Sequence, residues 1–106
     1  MEETLTSRKD IRELFQLGKR FSKPPLVLVH KPNGIGHNRF LYCPERSVGT
    51  AVRRNRVKRR LRAAIAELAP GFSQGFDIAV LAKPTIFELD HSELISYLAF
   101  LMRRIQ

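Results

Sequence analysis

Ten consecutive residues in the middle of this chain carry seven cations and no acidic side chain. Six of the seven are arginines, whose planar guanidinium groups make paired hydrogen bonds to phosphate oxygens. One asparagine lies among them and can add directional hydrogen bonds to a base edge or a 2′-hydroxyl. The segment therefore favours a nucleic-acid partner. Its polar residues are Arg53, Arg54, Asn55, Arg56, Lys58, Arg59, Arg60 and Arg62.

The apolar residues of the same region predict that these cations lie on one helix. They recur at helical spacing and form a single stripe, with the cations on the remaining surface. Thr50 is a suitable N-cap, and the Pro-Gly pair that follows residue 69 ends the pattern, so a helix is predicted over residues 51–68. The stripe consists of Val57, Leu61, Ala64, Ile65 and Leu68.

Such a helix is destabilised by its own charges, which argues for an external anion. Like charges three and four residues apart repel by about 0.3 kcal/mol per pair. Cations in the first turn also oppose the helix dipole, at about 0.3–1 kcal/mol each. Two alternatives are a solvated basic face without a ligand and a membrane-binding amphipathic helix. The membrane alternative lacks a bulky apolar face, because the core needs the apolar stripe.

The composition agrees with one small domain that binds a polyanion. Among 106 residues, 19 Lys or Arg against 10 Asp or Glu give a formal net charge of +9, and 43% hydrophobic residues argue against disorder. The single cysteine, Cys43, excludes a disulfide framework. No apolar run approaches the roughly 20 residues of a membrane span, and the acidic N-terminus lacks the pattern of a secretory signal. We expect a cytoplasmic protein without a membrane partner.

The remaining patterns predict two further helices and three strands. In chain order the elements are a helix at 8–17, a strand at 26–30, a returning hairpin strand at 39–43, the basic helix at 51–68, a strand at 76–82 and a helix at 91–105. Pro24 and Pro25 mark the start or the edge of the first strand. These elements predict a two-layer α/β (α+β) sandwich with a sheet of three to four strands and a crossover through the basic helix.

The segment from Val48 to Arg62 resembles the protein subunit family of bacterial ribonuclease P. The signature is Arg54-Asn55-Arg56 followed by Lys58-Arg59 and Arg62, and residues 15–18, 76–84 and the last helix also agree. The resemblance implies one domain over residues 1–106 and a left-handed βαβ crossover. It also implies a protein that binds a catalytic RNA and the 5′ leader of precursor tRNA and assists removal of the leader. The RNA carries the active site and its magnesium, so no catalytic residue and no obligate protein partner are expected.

Two sets of site residues are predicted. The RNA-binding residues are Arg53, Arg54, Asn55, Arg56, Lys58, Arg59 and Arg62. The resemblance implies a leader cleft between the first helix and the sheet, at Ile11, Phe15 and Val29, where an aromatic ring can stack on unpaired bases. The family often has aromatics where Ile11 and Val29 stand, so stacking is expected to be weaker or differently placed. Pro44 and Glu45 replace a more basic cleft edge, which predicts weaker leader or metal binding there.

Two other functions remain open from the residues alone. A non-catalytic RNA-binding module, such as a ribosomal or chaperone-like protein, uses the same kind of helix without changing a tRNA end. A protein nuclease needs clustered carboxylates or histidines, which are not found here at a recognisable spacing. His30, His37 and His91 are predicted to have structural or surface roles, Cys43 to be a buried inert thiol, and Asp77 to bond a neighbouring turn.

Overall fold

The structure is a computed structural model that describes residues 2–105. These residues form a five-stranded mixed sheet and three α-helices. In chain order the elements are β1 (Glu3–Thr4), α1 (Arg8–Leu17), β2 (Lys19–Lys23), β3 (Leu26–Pro32), β4 (Arg39–Pro44), α2 (Ala51–Leu68), β5 (Phe76–Ala82) and α3 (His91–Met102). Short 3₁₀ turns at Arg46–Val48, Ala69–Gly71 and Pro84–Glu88 connect the later elements.

The sheet has the order β1-β4-β5-β3-β2, with β5 at its centre. β5 runs parallel to β4 and antiparallel to β3, and nearly all of its side chains are buried. A strand that is apolar on both faces belongs inside a sheet covered on both sides, which explains its position. β4 and β5 are parallel neighbours joined through α2, so the predicted crossover through the basic helix is confirmed.

The predicted hairpin of β3 and β4 is wrong. The two strands are not neighbours, because β5 lies between them and pairs with both. The turn residues after Pro32 therefore carry the chain across the end of β5 rather than back along β3. A local turn pattern cannot show that a more apolar strand, far along the chain, competes for the same sheet edge.

The predicted strand count and the number of layers also need correction. Pro24 and Pro25 lie in the turn between β2 and β3, which pair as an antiparallel hairpin. This hairpin and the short β1, which pairs with β4, raise the strand count from the predicted three or four to five. The helices cover both faces of the sheet rather than one: α2 and α3 pack on one face and α1 packs on the other. The second cluster, around Leu14 and Val29, is smaller.

The predicted helix boundaries agree well with the structure. Ser7 caps α1 by accepting a hydrogen bond from the Asp10 amide, and Asp90 with Glu93 forms a reciprocal capping box at the start of α3. The last helix ends at Met102 rather than at residue 105, although Ile105 still packs into the core. Within residues 2–105, none of the helices combines the length and apolar character needed to cross a bilayer.

Candidate nucleic-acid interface

A glycine turn and an N-cap fix the residue at which α2 begins and so the position of the basic segment. Gly49 has a φ of 107°, a conformation that residues with a side chain rarely adopt. Thr50 follows as the N-cap, and its hydroxyl oxygen accepts a hydrogen bond from the Arg53 amide at 3.3 Å. The helix therefore begins at Ala51, as predicted, and places the cations between Arg53 and Arg62.

Burial of the apolar stripe determines which side of α2 faces solvent. Val57, Leu61, Ala64 and Ile65 are fully buried against the sheet and α3, as the helical spacing predicts. At about 25 cal/mol per Å² of apolar surface, four such side chains supply several kcal/mol of the free energy that docks the helix. That burial holds the cationic side of the helix toward the solvent despite its internal repulsion.

Four of the seven cations contact the protein itself. Arg53 donates from Nε to the carbonyl oxygen of Val48 at 2.8 Å, and its guanidinium lies over the Phe87 ring. Arg54 donates to the carbonyl oxygen of Glu45 at 3.0 Å. These contacts hold the two guanidinium groups beside the end of β4.

The other two members of this group are Arg60 and Arg62. Arg60 bonds two carbonyl oxygens in the segment before α3, so it supports the fold. The guanidinium of Arg62 lies over the ring of Tyr42, at 5.4 Å from its centroid. Burial raises the pKa of Tyr42 to about 12, so the ring beneath Arg62 stays neutral.

The three other cations and the asparagine point outward with no partner in the described chain. Within residues 2–105, the side chains of four residues make no hydrogen bond and no ion pair: Asn55, Arg56, Lys58 and Arg59. Asn55, Arg56 and Arg59 are exposed, and Lys58 is half-buried. Hydrogen-bond donors and positive charge are thus available to an anion that docks on this side of α2.

The three predicted cleft residues lie together, but they differ in accessibility. Ile11 and Phe15 are half-buried on α1, whereas Val29 is fully buried beneath the helix with Leu14. Val29 therefore supports α1 from below and has no surface for a ligand. Arg20, which no local sequence pattern singles out, places its guanidinium 5.9 Å from the centroid of the Phe15 ring.

Beyond α1, the same face of the sheet has a cavity of about 250 Å³ that the sequence analysis missed. The alternation of β3, β4 and β5 could have revealed it, because Val27, Cys43 and Leu81 all point to this face. Burial raises the pKa of the Cys43 thiol against the opposing charges of Lys58 and Arg54, which keeps it in the unreactive thiol form. The cavity adjoins the start of α2, because Arg54 donates a hydrogen bond to the carbonyl oxygen of Glu45 in the cavity lining. The lining residues are Val27, Cys43, Pro44, Glu45, Leu81, Ala82 and Lys83.

Of the other polar residues singled out by sequence, His37, His91 and Asp77 have structural partners, whereas the buried ring nitrogens of His30 have no hydrogen-bond partner within residues 2–105. His37 and His91 each pair with a glutamate, at 3.0 Å from Glu3 and Glu67 respectively. Asp77 accepts a hydrogen bond from Asn33 in the turn, as predicted. In the part of the chain that the structure describes, no three His, Cys, Asp or Glu side chains group as a metal site.

Comparisons with known proteins agree with this geometry. A family model described as Ribonuclease P matches residues 1–106. A protein named ribonuclease P protein component from Caldanaerobacter subterraneus subsp. tengcongensis is 32% identical, over 98% of this chain and 92% of its own. One from Syntrophomonas wolfei is 33% identical, over 77% and 69%. The ribonuclease P protein of Thermotoga maritima superposes with a TM-score of 0.89 at 28% identity, over 99% of both chains. That of Staphylococcus aureus, at 19% identity and a TM-score of 0.82, shares the fold.

Proposed function

The chain belongs to the ribonuclease P protein family, and we propose that the outward cations of α2 bind the catalytic RNA of that ribonucleoprotein. As the protein component, it serves the maturation of tRNA 5′ ends, while the RNA carries the catalysis. One observation carries the proposal for α2. Asn55, Arg56, Lys58 and Arg59 stay unpaired within residues 2–105, while their neighbours Arg53 and Arg54 are held by backbone carbonyl oxygens.

RNA binding on this surface follows from counterion release. Each phosphate that a lysine or arginine neutralises frees condensed counterions, which lowers the free energy of the complex and makes it salt-dependent. Arginines already tied to the protein lose little side-chain freedom when they meet a phosphate. Arg53, Arg54 and Arg62 therefore join the outward group as preorganised contacts. Asn55 supplies a directional hydrogen bond.

The 5′ leader of precursor tRNA is the ligand we propose for the cleft along α1 and the adjoining cavity. Phe15 is half-exposed beneath Arg20, so a base stacked on the ring has a cation beside its phosphate. Ile11 lies beside Phe15 on the α1 side of the cleft, and Val29 packs beneath α1 and supports it on the sheet. Arg54 bonds the carbonyl oxygen of Glu45, which lines the cavity, so a strand that leaves the cleft meets the basic side of α2.

Magnesium in this assembly is proposed to be held mainly by RNA. Magnesium takes oxygen ligands in octahedral geometry, usually carboxylates together with phosphates and water. Within residues 2–105, no three His, Cys, Asp or Glu side chains group as a metal site, and the buried carboxylate of Asp77 is already bonded to Arg39. The ion supplies charge neutralisation and water activation when bound to the RNA. The protein lowers the magnesium demand by screening phosphate repulsion between the two RNAs.

Reconstitution tests the proposed function. The purified protein is mixed with a bacterial ribonuclease P RNA and a precursor tRNA at low magnesium, and mature 5′ ends are followed. Cleavage that needs both RNA and protein is expected, with none from the protein alone. RNA binding without any effect on cleavage, repeated with a second catalytic RNA to exclude a mismatched partner, favours the plain RNA-binding module instead.

We further propose that the protein works in the cytoplasm, with no additional protein subunit.

A further inference from the structure

A second cationic surface lies at the edge of the sheet farthest from β1, where β2 meets the end of α3. We define this β2–α3 surface by the residues Lys19, Lys23, Phe100, Arg103 and Arg104. Its two helix-end arginines and Lys19 are exposed, and none of its four cations has an ion-pair partner within residues 2–105. We propose that the β2–α3 surface binds an unpaired segment of the same catalytic RNA that α2 binds.

Phe100 and two neighbouring aromatic rings, those of Tyr97 and Phe21, contact two of the cations of this surface. Lys23 Nζ lies 4.5 Å from the centroid of the Tyr97 ring and 5.0 Å from that of Phe100. The guanidinium of Arg104 lies 4.5 Å from the Phe100 centroid and 5.9 Å from that of Phe21. Cations stacked on rings keep their N–H groups directed outward, so their donors are preorganised for phosphate.

Phe100 is the ring that orders both of these cations. It remains 40% exposed on α3, although apolar side chains of this size are usually covered in a small domain. Lys23 and Arg104 both lie over this ring, so a base is expected to stack on the outer plane of the Arg104 guanidinium, with the Lys23 ammonium near its phosphate. This is the pattern of single-stranded nucleic-acid sites, where stacking is combined with a cationic track for the backbone.

A cavity beside the surface provides an independent indication of a ligand. It has a volume of about 390 Å³ and lies between Lys19, Phe21, Arg103 and Arg104, with His30 at its floor. His30 is 97% buried, and within residues 2–105 neither of its ring nitrogens has a hydrogen-bond partner. Buried polar atoms nearly always have a partner, so a polar ligand that seats in this cavity completes an otherwise unsatisfied group.

The position of the surface decides which RNA it meets. α2 packs on β4, whereas α3 packs on β2 and β3, on the same face of the sheet. β4 and β2 are three strand spacings apart, which is about 14 Å. A large RNA docked on α2 extends over that distance, while a leader in the α1 cleft lies on the opposite face. The inference therefore rests on the proposed function of α2.

Affinity for the catalytic RNA alone, measured against salt without precursor tRNA, tests the inference. Lys23→Gln and Arg104→Gln are each expected to weaken binding about fivefold and to lower the salt slope by about one. Phe100→Leu is expected to weaken binding by a similar factor with an unchanged slope, because it removes the ring that orders the two cations and removes no charge. Lys9→Gln, which removes an exposed cation opposite the buried side of α1, is the matched control and should change affinity less than twofold.

Ribose footprinting separates this surface from α2. Nucleotides protected by the wild-type protein should lose protection with Arg104→Gln but keep it with Arg59→Ala, and a second group should behave in the reverse way. Thermal unfolding of each variant confirms that it is folded. If Arg59→Ala weakens binding while Lys23→Gln, Arg104→Gln and Phe100→Leu match the Lys9→Gln control, the β2–α3 proposal is overturned and the proposed function stands. Failure of the wild-type protein to bind the catalytic RNA overturns both the β2–α3 proposal and the proposed function.

Discussion

Arg60, in the middle of the basic helix, donates a 2.6 Å hydrogen bond from Nη2 to the carbonyl oxygen of Leu89. Its Nη1 donates to the carbonyl oxygen of Ile86 at 3.1 Å, so one guanidinium closes the turn that leads into α3. Arg59, its neighbour in the chain, is exposed and has no such bond within residues 2–105. Adjacent arginines of the same helix therefore differ in role: Arg60 stabilises the fold, whereas Arg59 remains exposed to solvent.

Alanine substitution should separate these two roles. Arg60→Ala leaves two carbonyl oxygens without their charged donor and is expected to lower the free energy of unfolding by about 1.5–3 kcal/mol. Arg59→Ala should change it by less than about 0.5 kcal/mol, as is usual for an exposed side chain, while it weakens binding to the catalytic RNA. Urea unfolding and RNA titration of both variants check this. Equal losses of stability in both variants would contradict the assignment.

The buried carboxylate of Asp77 should be the most costly acid to neutralise. It accepts hydrogen bonds from Nε and Nη2 of Arg39, each at 2.8 Å, and these bonds raise the pKa of the Arg39 guanidinium. Asp77→Asn leaves that cation poorly paired and is expected to cost about 2–4 kcal/mol of unfolding free energy. Asp10→Asn is the control, because Asp10 pairs with Arg39 from a more exposed position and should cost less than about 1 kcal/mol.

His30 should make stability depend on pH. Burial, aided by the charge of Lys19, lowers the pKa of His30 below the ordinary 6.5, so the folded protein keeps the ring neutral. As pH falls below about 6.5 the unfolded chain takes up a proton that the folded chain resists. Stability is therefore lost from that pH downward, until the folded protein also protonates the ring.

The variant His30→Phe isolates this contribution. His30 is stacked on Phe21 at 5.4 Å and meets Phe76 edge-on, so a phenyl ring fits among its neighbours. We expect the variant to be as stable as the wild type or more so at pH 7, because it removes buried ring nitrogens without a partner in the described chain. Chemical unfolding at several pH values should show a smaller loss between pH 7 and pH 5 than in the wild type. Parallel stability curves for the two proteins would disprove the role of His30.

Phe15 should matter only when a leader is present. Phe15→Leu keeps an apolar side chain against the sheet but removes the stacking face. It should weaken holoenzyme binding of precursor tRNA about fivefold or more, since a stacked base contributes about 1–3 kcal/mol. Affinity for mature tRNA, which has no leader, should be unchanged. Leu17→Ala, a 68% exposed position of the same helix, serves as the control, and an equal effect there would count against the cleft.

Glu45 should weaken leader binding in the wild-type protein. Its carboxylate lies at the cavity beside Cys43 and accepts a hydrogen bond from Ser47 Oγ at 2.7 Å. Glu45→Gln keeps an oxygen acceptor for that bond and removes a charge that repels phosphate. Affinity for precursor tRNA should rise about twofold to threefold at low salt, with the gain shrinking as salt screens the charge. A gain that is independent of salt, or no gain, would show that the leader passes elsewhere.

The sequence by itself determined the elements whose signals are local. The cap at Thr50, the stripe from Val57 to Leu68 and the capping box at Asp90 each lie within one helix, so period and capping chemistry predicted α2 and the start of α3 correctly. The apolar run of β5 also predicted its strand with the observed bounds. These features depend on residues a few positions apart, which sequence spacing shows directly.

Tertiary structure alone decided the partners of those elements. Contacts between distant segments place β5 between β3 and β4 and bury Val29 under α1. They also bury His30, whose ring nitrogens have no hydrogen-bond partner among residues 2–105. The same holds for the basic helix. Arg59 and Arg60 are adjacent cations in the printed sequence, and only the carbonyl oxygens of a turn 26 residues beyond Arg60 draw one of them into the fold. Burial and hydrogen-bond geometry in three dimensions, rather than residue type, left Arg59 exposed and without a side-chain partner among residues 2–105.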